Sequence, residues 1–311
     1  MWAGSDYGII ISMKLQEAIE EFLVYLSAVR TLSDNTITGY RNDFVHLTAF
    51  TGPEADISQV QKEDLLASIG YLSRQKKASA SINRYIAAVR GLFAYCKKNG
   101  YLKTNPALEL KTVKLPKRIP RFMTEDEVSE LCNIPERSEI LWQARDKALF
   151  EMLYSSGCRI SELCGLKFSD FTEGYNTAIV RGKGRKDRYV FFETDAREAL
   201  QKYLDDRQRK FVDLKRLDDC PYVFVNQKGT QLTTQGARWI LARYSGPEGT
   251  NHHVSPHAFR HTFATAMLVN GADVRLVQEL LGHASVSTTQ RYTHITTEQL
   301  IETYKKAHPH S

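Results

Sequence analysis

TAIVRGKGRKDRYVFF, residues 177–192, consists of two runs of β-branched and aromatic residues around a basic, glycine-containing segment. Such residues favour strands, and a short Gly-rich segment between two strands is typical of a hairpin turn. The stretch therefore predicts an antiparallel hairpin whose turn, Gly-Lys-Gly-Arg-Lys, presents several cations. The run YVFV at 222–225 predicts one further short strand.

Helical periodicity surrounds this hairpin on both sides. Before it, Thr124 and Glu127 fit a capping box, which predicts a helix start, and a long helix is predicted over about 138–156, ending at Gly157. After it, helices are predicted at about 195–210, 232–246, 257–270, 273–281 and 296–306. Residues 123–311 are thus predicted to form one domain, mainly α with a small β-sheet.

In the first hundred residues, the spacing of apolar residues predicts helices and no strands. Apolar residues recur every three or four positions in four segments: 14–30, the stretch after Asp34-Asn35, 62–75, and the stretch from Ser79 or Ser81 to Gly100. Gly100 is expected to be the C′ glycine that ends the fourth helix. Residues 14–105 are therefore predicted to form an all-α, four-helix domain. Residues 1–12 precede an internal methionine and are left out of this prediction.

Positive charge is concentrated between residues 74 and 121. This stretch has thirteen Lys or Arg and one acid, a local charge of +12, which leaves −6 on the rest of a chain whose total is +6. Such a band predicts a polyanionic partner, here a nucleic acid. The candidate DNA-binding residues are Arg84, Arg90, Lys97, Lys111, Lys114, Lys117 and Arg118. For any single one of them, the alternative is an ordinary solvated cation.

The end of this band also predicts the domain boundary. KTVKLPKRIPR, residues 111–121, has two prolines, which disfavour helix at and just before their positions. Residues 106–122 are therefore predicted to be a basic, extended linker that lies along the phosphate backbone. A plain spacer is the alternative.

Composition excludes several other classes of protein. No apolar run approaches the ~18 residues of a membrane helix, and Ile9–Ile11 is shorter than the about 7 apolar residues of a secretory signal. The five cysteines are odd in number and form no C-x-x-C pair, so we expect reduced thiols and a cytoplasmic location.

Four segments concentrate groups that can bind or attack a phosphate. They are SSGCRISEL (155–163), GKGRKDR (182–188), SPHAFRHTFAT (255–265) and LGHASVSTTQRYTH (281–294). In chain order they supply Arg159, Lys183, His257, Arg260, His283 and Tyr292.

This order resembles the pattern of the tyrosine site-specific recombinases: Arg, Lys, H-x-x-R, His or Trp, then Tyr. The resemblance extends from about residue 14 to the C-terminus and is nearest to the Xer branch; Cys158 departs from it, at a position often held by an aliphatic residue. It implies an enzyme that cuts and rejoins double-stranded DNA without metal or other cofactor. Each DNA half-site is expected to be clamped between the two domains. The resemblance further implies a homo- or hetero-tetramer assembled through the C-terminal helix, and a cell-division DNA translocase as activator.

Chemistry assigns a role to each group. A phenol with a pKa of ~10 is a poor nucleophile at neutral pH, so Tyr292 needs a partner that accepts its proton, and His257 is the candidate. Arginine forks donate bidentate, charge-assisted hydrogen bonds, which suits Arg159 and Arg260 to the non-bridging oxygens of the scissile phosphate.

The other roles concern the leaving group and the surroundings of the arginines. Lys183 is expected to protonate the departing 5′ oxygen, although Arg185 and Lys186 occupy the same turn. His283 is expected to donate to a phosphate oxygen. Glu162, one turn after Arg159, is a candidate for orienting the arginines or a histidine.

Rival functions remain open at this point. His257 and His261, four residues apart, could be metal ligands of a hydrolase, but no third acidic or cysteine ligand has suitable spacing, so no metal site is predicted. His261 is expected instead to pack or form hydrogen bonds behind the site. The other rivals are a mobile-element integrase, a monomeric type IB topoisomerase and a DNA-binding protein without catalysis.

Overall fold

Two units divide the chain, residues 1–119 and 120–311. The computed structural model describes residues 13–115, 123–137, 142–182, 187–213, 215, 217–244, 255–282 and 297–308. Within these ranges no helix is long and apolar enough to cross a membrane. The predicted fold class, mainly α with a small β-sheet in the second unit, is confirmed.

The described part of the first unit contains four α-helices: α1 (Leu15–Ala28), α2 (Asp34–Thr51), α3 (Lys62–Arg74) and α4 (Ser79–Lys98). Each turns an apolar face inward, and α4 contributes the largest share of the core, with Ile86, Val89, Leu92 and Phe93 fully buried. The helix ends at Lys98, and Gly100 follows with φ 81°. As predicted, glycine there allows the chain to reverse out of the helix.

The core of the first unit extends beyond residue 105, where the sequence predicted the linker to begin. Ala107 and Leu110 are buried in that core. The Asn83 side chain on α4 then holds the backbone of Val113 in both directions, donating to its carbonyl at 2.9 Å and accepting from its N–H at 2.7 Å. Proline and charge counts could not reveal this because two spaced apolar residues are enough to fix the segment to the helices.

The second unit surrounds α6 (Gln143–Ser156), most of whose residues are buried. Before α6, α5 (Glu125–Asn133) begins with the predicted capping box: the Thr124 hydroxyl accepts from the Glu127 N–H, and the Glu127 carboxylate accepts from the Thr124 N–H. After it come α7 (Ile160–Cys164), β1 (Thr177–Arg181), β2 (Asp187–Phe191), α8 (Thr194–Asp213), α9 (Thr234–Tyr244), α10 (Pro256–Val269), α11 (Val274–Leu281) and α12 (Thr297–Ala307).

The predicted hairpin is present, with β1 and β2 antiparallel and Arg181 opposite Asp187 next to the turn. The predicted strand at 222–225 is wrong: in the described residues Tyr222 and Val225 form only isolated bridges. The carbonyls of Tyr222 and Val223 accept hydrogen bonds from the Arg207 guanidinium instead of from a neighbouring strand. The apolar run therefore reflects burial, which by itself does not distinguish a strand from another buried segment.

The C-terminal helix α12 packs on its own domain. Tyr304 and Ala307 are buried against Phe263 and Met267 of α10 and against Phe191 of β2. The Tyr304 hydroxyl also lies 2.9 Å from the Ser155 hydroxyl near the end of α6. This packing links the last helix to α10, which carries Arg260, and to the end of α6, which precedes Arg159.

Candidate active site

Arg159 lies at the junction of α6 and α7, and a glycine makes that junction possible. Gly157 ends α6 with φ 58°, and a Cβ there would lie 2.5 Å from Cδ1 of Phe263 on α10. A side chain would therefore be strained by the backbone and blocked by the ring. This close approach lets α10 pack directly against the chain that leads into Arg159.

Glu162 is the acceptor around which the site is organised. Its side chain is 4% exposed, and it accepts four hydrogen bonds. Two come from Arg159, from the backbone N–H at 2.8 Å and from Nη1 at 2.7 Å. The other two come from Arg188, from Nη1 at 3.0 Å and from Nη2 at 2.9 Å. These four bonds match the about four lone-pair positions of a carboxylate.

The pKa of Glu162 follows from this arrangement. Burial favours the neutral acid, but the hydrogen bonds and charge of Arg188, together with those of Arg159, outweigh burial and hold the pKa below its usual value. Glu162 is thus a carboxylate at neutral pH. Its predicted role in orienting the arginines has a geometric basis, because the same carboxylate holds two of them.

Arg260 projects from α10 into the same cluster. It is buried and donates through Nη1 to the Gly157 carbonyl at 2.8 Å and through Nη2 to the Leu281 carbonyl. Burial and the nearby positive charges of Arg159 and Arg188 lower its pKa to about 10, so it remains protonated at neutral pH. Three guanidiniums and one carboxylate leave this group of four residues with a net charge of +2, which favours binding of an anion.

The carbonyl groups at the C-terminal end of α11 accept hydrogen bonds from these arginines. Arg188 Nε donates to the Leu280 carbonyl at 2.9 Å, Arg260 to the Leu281 carbonyl, and Arg159 Nη2 to the Gly282 carbonyl at 3.1 Å. The last carbonyls of a helix have no partner within the helix and carry the negative end of its dipole. The cluster satisfies three of them in succession, directly before His283 in the chain.

His257 occupies the first turn of α10. Ser255 caps this helix by accepting from the Ala258 N–H, and His257 is exposed, three residues before Arg260. This spacing keeps the two side chains on neighbouring parts of the helix surface. His261 is exposed as well, so its predicted packing behind the site is wrong: it lies about 100° around α10 from the buried Arg260.

The structure brings together part of the predicted set: Arg159, Glu162 and Arg260. Lys183, His283 and Tyr292 lie outside the described residues, and their roles stay predictions. Within the described ranges, no three His, Cys, Asp or Glu side chains form a group that could hold a metal ion.

Arg188 is the residue of this cluster that sequence reasoning missed. It is the last residue of the segment GKGRKDR, in which the sequence assigned roles or alternatives only to Lys183, Arg185 and Lys186. Strand alternation could have identified it, because on β2 Asp187 and Tyr189 are exposed whereas Arg188 is turned to the same face as the buried Val190.

The candidate DNA-binding residues of the first unit are surface cations. Arg90 and Lys97 are exposed on α4, seven residues and thus about two turns apart, and Lys111 and Lys114 are exposed on either side of Val113. Lys117 and Arg118 lie outside the described ranges. Arg84 is half-exposed, and its guanidinium donates to both oxygens of the buried Asp43, at 2.8 and 2.9 Å. Its contact with DNA stays a prediction, and so do those of the other six.

Comparison with known sequences covers both units. The profile described as "Phage integrase family" matches residues 121–299, and that described as "Phage integrase, N-terminal SAM-like domain" matches residues 19–100. Tyrosine recombinase XerC of Treponema denticola is 43% identical over 305 residues, which cover 96% of this chain and 100% of the relative. Tyrosine recombinase XerC of Oceanobacillus iheyensis is 38% identical, over 95% of this chain and 97% of the relative.

Solved structures share the fold at lower sequence identity. The Tn1549 transposon integrase in complex with transposon right end DNA has a TM-score of 0.71 and 17% identity, covering 94% of this chain and 99% of that one. The XerH site-specific recombinase bound to palindromic difH substrate has a TM-score of 0.70 and 20% identity, covering 89% of this chain and 92% of that one. At such identities the likeness establishes the fold alone.

Proposed function

The chain belongs to the phage integrase family and is a Xer-type site-specific tyrosine recombinase, and we propose that it cuts and rejoins DNA with Tyr292 as the nucleophile. The observation that carries the proposal is the cluster of Arg159, Arg188 and Arg260 around one buried carboxylate. The net positive charge of this cluster favours a phosphodiester anion, and Arg159 and Arg260 are the members proposed to donate to it as further charge develops during displacement.

In the proposed first step, the Tyr292 oxygen attacks the phosphorus of the scissile phosphodiester. A bond forms between phosphorus and the phenol oxygen while the bond from phosphorus to the 5′ oxygen breaks. His257 takes the phenol proton, and Lys183 gives a proton to the departing 5′ oxygen. The resulting 3′-phosphotyrosyl bond conserves the energy of the broken bond, so a 5′ hydroxyl from another strand can reverse the step without ATP.

The arginines act on the phosphate itself. Arg159 and Arg260 are proposed to donate to its non-bridging oxygens, with His283 as a further donor. Their side chains are already held in place by the carbonyls of Gly157, Leu281 and Gly282 and by Glu162. Little reorganisation would then be needed in the transition state, and this is the condition under which such donors accelerate a reaction most.

A suicide substrate tests this function. In a duplex nicked next to the scissile phosphate, cleavage releases a short oligonucleotide that diffuses away, so the covalent complex cannot religate. We expect a protein–DNA adduct that survives denaturation and forms equally well with and without a chelator. Cleavage that leaves free DNA ends and stops in the chelator would contradict the proposal and favour a metal-dependent hydrolase.

The partners belong to the same proposal: a double-stranded DNA recombination site, a homo- or hetero-tetramer formed through α12, and activation by a cell-division DNA translocase, in the cytoplasm. In the single chain, the apolar face of α12 fills a site on its own domain around Phe263 and Met267. Because every copy has the same helix and the same acceptor site, exchange of α12 between neighbours would keep these contacts while linking the subunits.

The salt dependence of DNA binding tests the basic band. Each phosphate that a protein contacts contributes about −0.9 to the slope of log K against log salt. If Lys111, Lys114, Lys117 and Arg118 all contact phosphates, replacing the four with glutamine should make the slope shallower by roughly 3–4. Fluorescence anisotropy with specific and random duplexes should show equal losses on both, because phosphate contacts do not read sequence.

A matched control lies on α8, whose charges balance. Replacing its exposed cations Lys202 and Arg209 with glutamine should leave the slope unchanged. An unchanged slope in the fourfold variant would mean that the linker does not contact the DNA backbone. A loss confined to the specific duplex would instead assign base reading to these residues.

A further inference from the structure

We propose that Arg188 is a positioning residue for recombination, which holds Arg159 through Glu162 and holds the end of α11 through the Leu280 carbonyl. The inference rests on the proposed function, because its consequence is a change in the rate of DNA cleavage. It assigns a role to a side chain that is not among the groups proposed to touch the phosphate or the phenol.

The geometry of Arg188 is that of a clamp. Its side chain is 9% exposed, and all three guanidinium nitrogens donate: Nη1 and Nη2 to the two oxygens of Glu162, and Nε to the Leu280 carbonyl. This use of the planar fork requires arginine, because the ammonium of a lysine is a single point of attachment. Because all three nitrogens are engaged, Arg188 holds both the Glu162 carboxylate and the Leu280 carbonyl in place.

The first thing it fixes is the carboxylate behind Arg159. Glu162 Oε1 accepts from both Arg188 Nη1 and Arg159 Nη1, so the two guanidiniums share one oxygen. Arg188 also supplies the positive charge that keeps the buried Glu162 ionised against the effect of burial. Without Arg188, the pKa of Glu162 would rise, and Glu162 in its protonated form would hold Arg159 more weakly, since hydrogen bonds between charged partners are about twice as strong.

The second thing it fixes is the end of α11. Gly282 has φ 62°, and a Cβ there would lie 3.0 Å from Cδ of Arg188, so the aliphatic stem of Arg188 packs against this glycine. The Gly282 carbonyl in turn accepts from Arg159. Arg188 on β2 thus links α7, which follows Arg159, to the end of α11, which precedes His283. In the sequence, Arg188 is also five residues after Lys183.

The test measures single-turnover cleavage of the suicide substrate across pH, with DNA in excess and rates normalised to folded protein. Arg188→Met should bind DNA normally but cleave roughly 100-fold more slowly, the scale of a misplacement of about 1 Å in an active site. Arg188→Lys, which keeps the charge but not the fork, should recover part of this loss.

The pH profile separates positioning from simple destabilisation. The charged and titratable groups around Glu162 are Arg159, Arg188 and Arg260, with the buried thiol of Cys158 beside them. Removing Arg188 takes away the hydrogen bonds and the positive charge that lower the pKa of Glu162, so this pKa should rise. Glu162 is then protonated over a wider acidic range, so the acid limb of the cleavage profile should move to higher pH.

Arg207→Met is the matched control. Arg207 is buried in the same unit, with its side chain 1% exposed, and likewise donates to a carboxylate, that of Asp218. It also donates to the carbonyls of Cys220 and Tyr222, which lie outside the four segments that supply the predicted catalytic groups. It should lower the melting temperature without moving the pH profile. The Arg188→Met, Glu162→Gln double variant should cleave no more slowly than the worse single variant, because the two residues act as a unit.

Two results would overturn the inference while leaving the function intact. One is an Arg188→Met protein that cleaves at the wild-type rate. The other is an Arg188→Met protein that cleaves slowly but has an unshifted pH profile, and whose loss of cleavage rate adds to that of Glu162→Gln in the double variant. A wild-type chain that never forms the covalent complex would overturn the proposed function, and the inference with it.

Discussion

Tyr292→Phe is expected to abolish the covalent protein–DNA complex while leaving DNA binding largely intact. The substitution removes one oxygen, the atom proposed to form the bond to phosphorus, and leaves the ring. Loss of a covalent nucleophile in other enzymes costs roughly 10⁴-fold or more, so the adduct should fall below detection on a denaturing gel.

The control for this experiment is a second tyrosine on the described surface of the same unit. Tyr189 of β2 is exposed, and Tyr189→Phe should form the adduct at the wild-type rate. An adduct that persists in Tyr292→Phe would show that another residue is the nucleophile, and peptide mapping of that adduct would identify it. Loss of DNA binding in the Phe variant would show that the hydroxyl contributes to affinity and not to chemistry alone.

Arg260→Lys is expected to slow cleavage by about 10²–10³-fold, the typical cost of removing one preorganised donor to a developing negative charge. Lysine keeps the charge but cannot reach the Gly157 and Leu281 carbonyls and a phosphate together, as the fork of Arg260 can. Affinity for uncleaved DNA should fall far less, because the donors are needed most when charge builds on the phosphate.

Single-turnover rates and equilibrium binding, measured on the same preparation, check this expectation. Arg159→Lys should behave in the same way, since it donates to the neighbouring Gly282 carbonyl and shares Glu162. Arg209→Lys on the exposed face of α8 is the conservative control and should change neither quantity appreciably. Equal losses in affinity and in rate would make Arg260 an ordinary backbone contact.

Much of this protein could be predicted from the sequence because the decisive signals are local. Helical spacing, the Thr124–Glu127 capping box, the two β-rich runs and the glycines at 100 and 157 each depend on residues a few positions apart. The order of reactive residue types was equally readable, and the comparisons bear out the family that it indicated.

Other features depended on contacts that no local pattern encodes. The segment 222–225 has the composition of a strand, but the carbonyls of Tyr222 and Val223 accept hydrogen bonds from Arg207, which lies fifteen or more positions earlier. The helical core continues to Leu110 because α4 and its neighbours leave room for two more apolar side chains. Local propensity has no information about which partner a backbone group will meet.

The sequence by itself determined the class of chemistry, since the types and order of residues from Arg159 to Tyr292 match one way of handling a phosphodiester. Only the tertiary structure decided how the arginines are held. Residues 159, 188, 260 and 282 meet through packing of α7, β2, α10 and α11, and hydrogen bonds act over about 3 Å. Such distances are set by the packing of whole elements, so Arg188 acquires its place only in the folded domain.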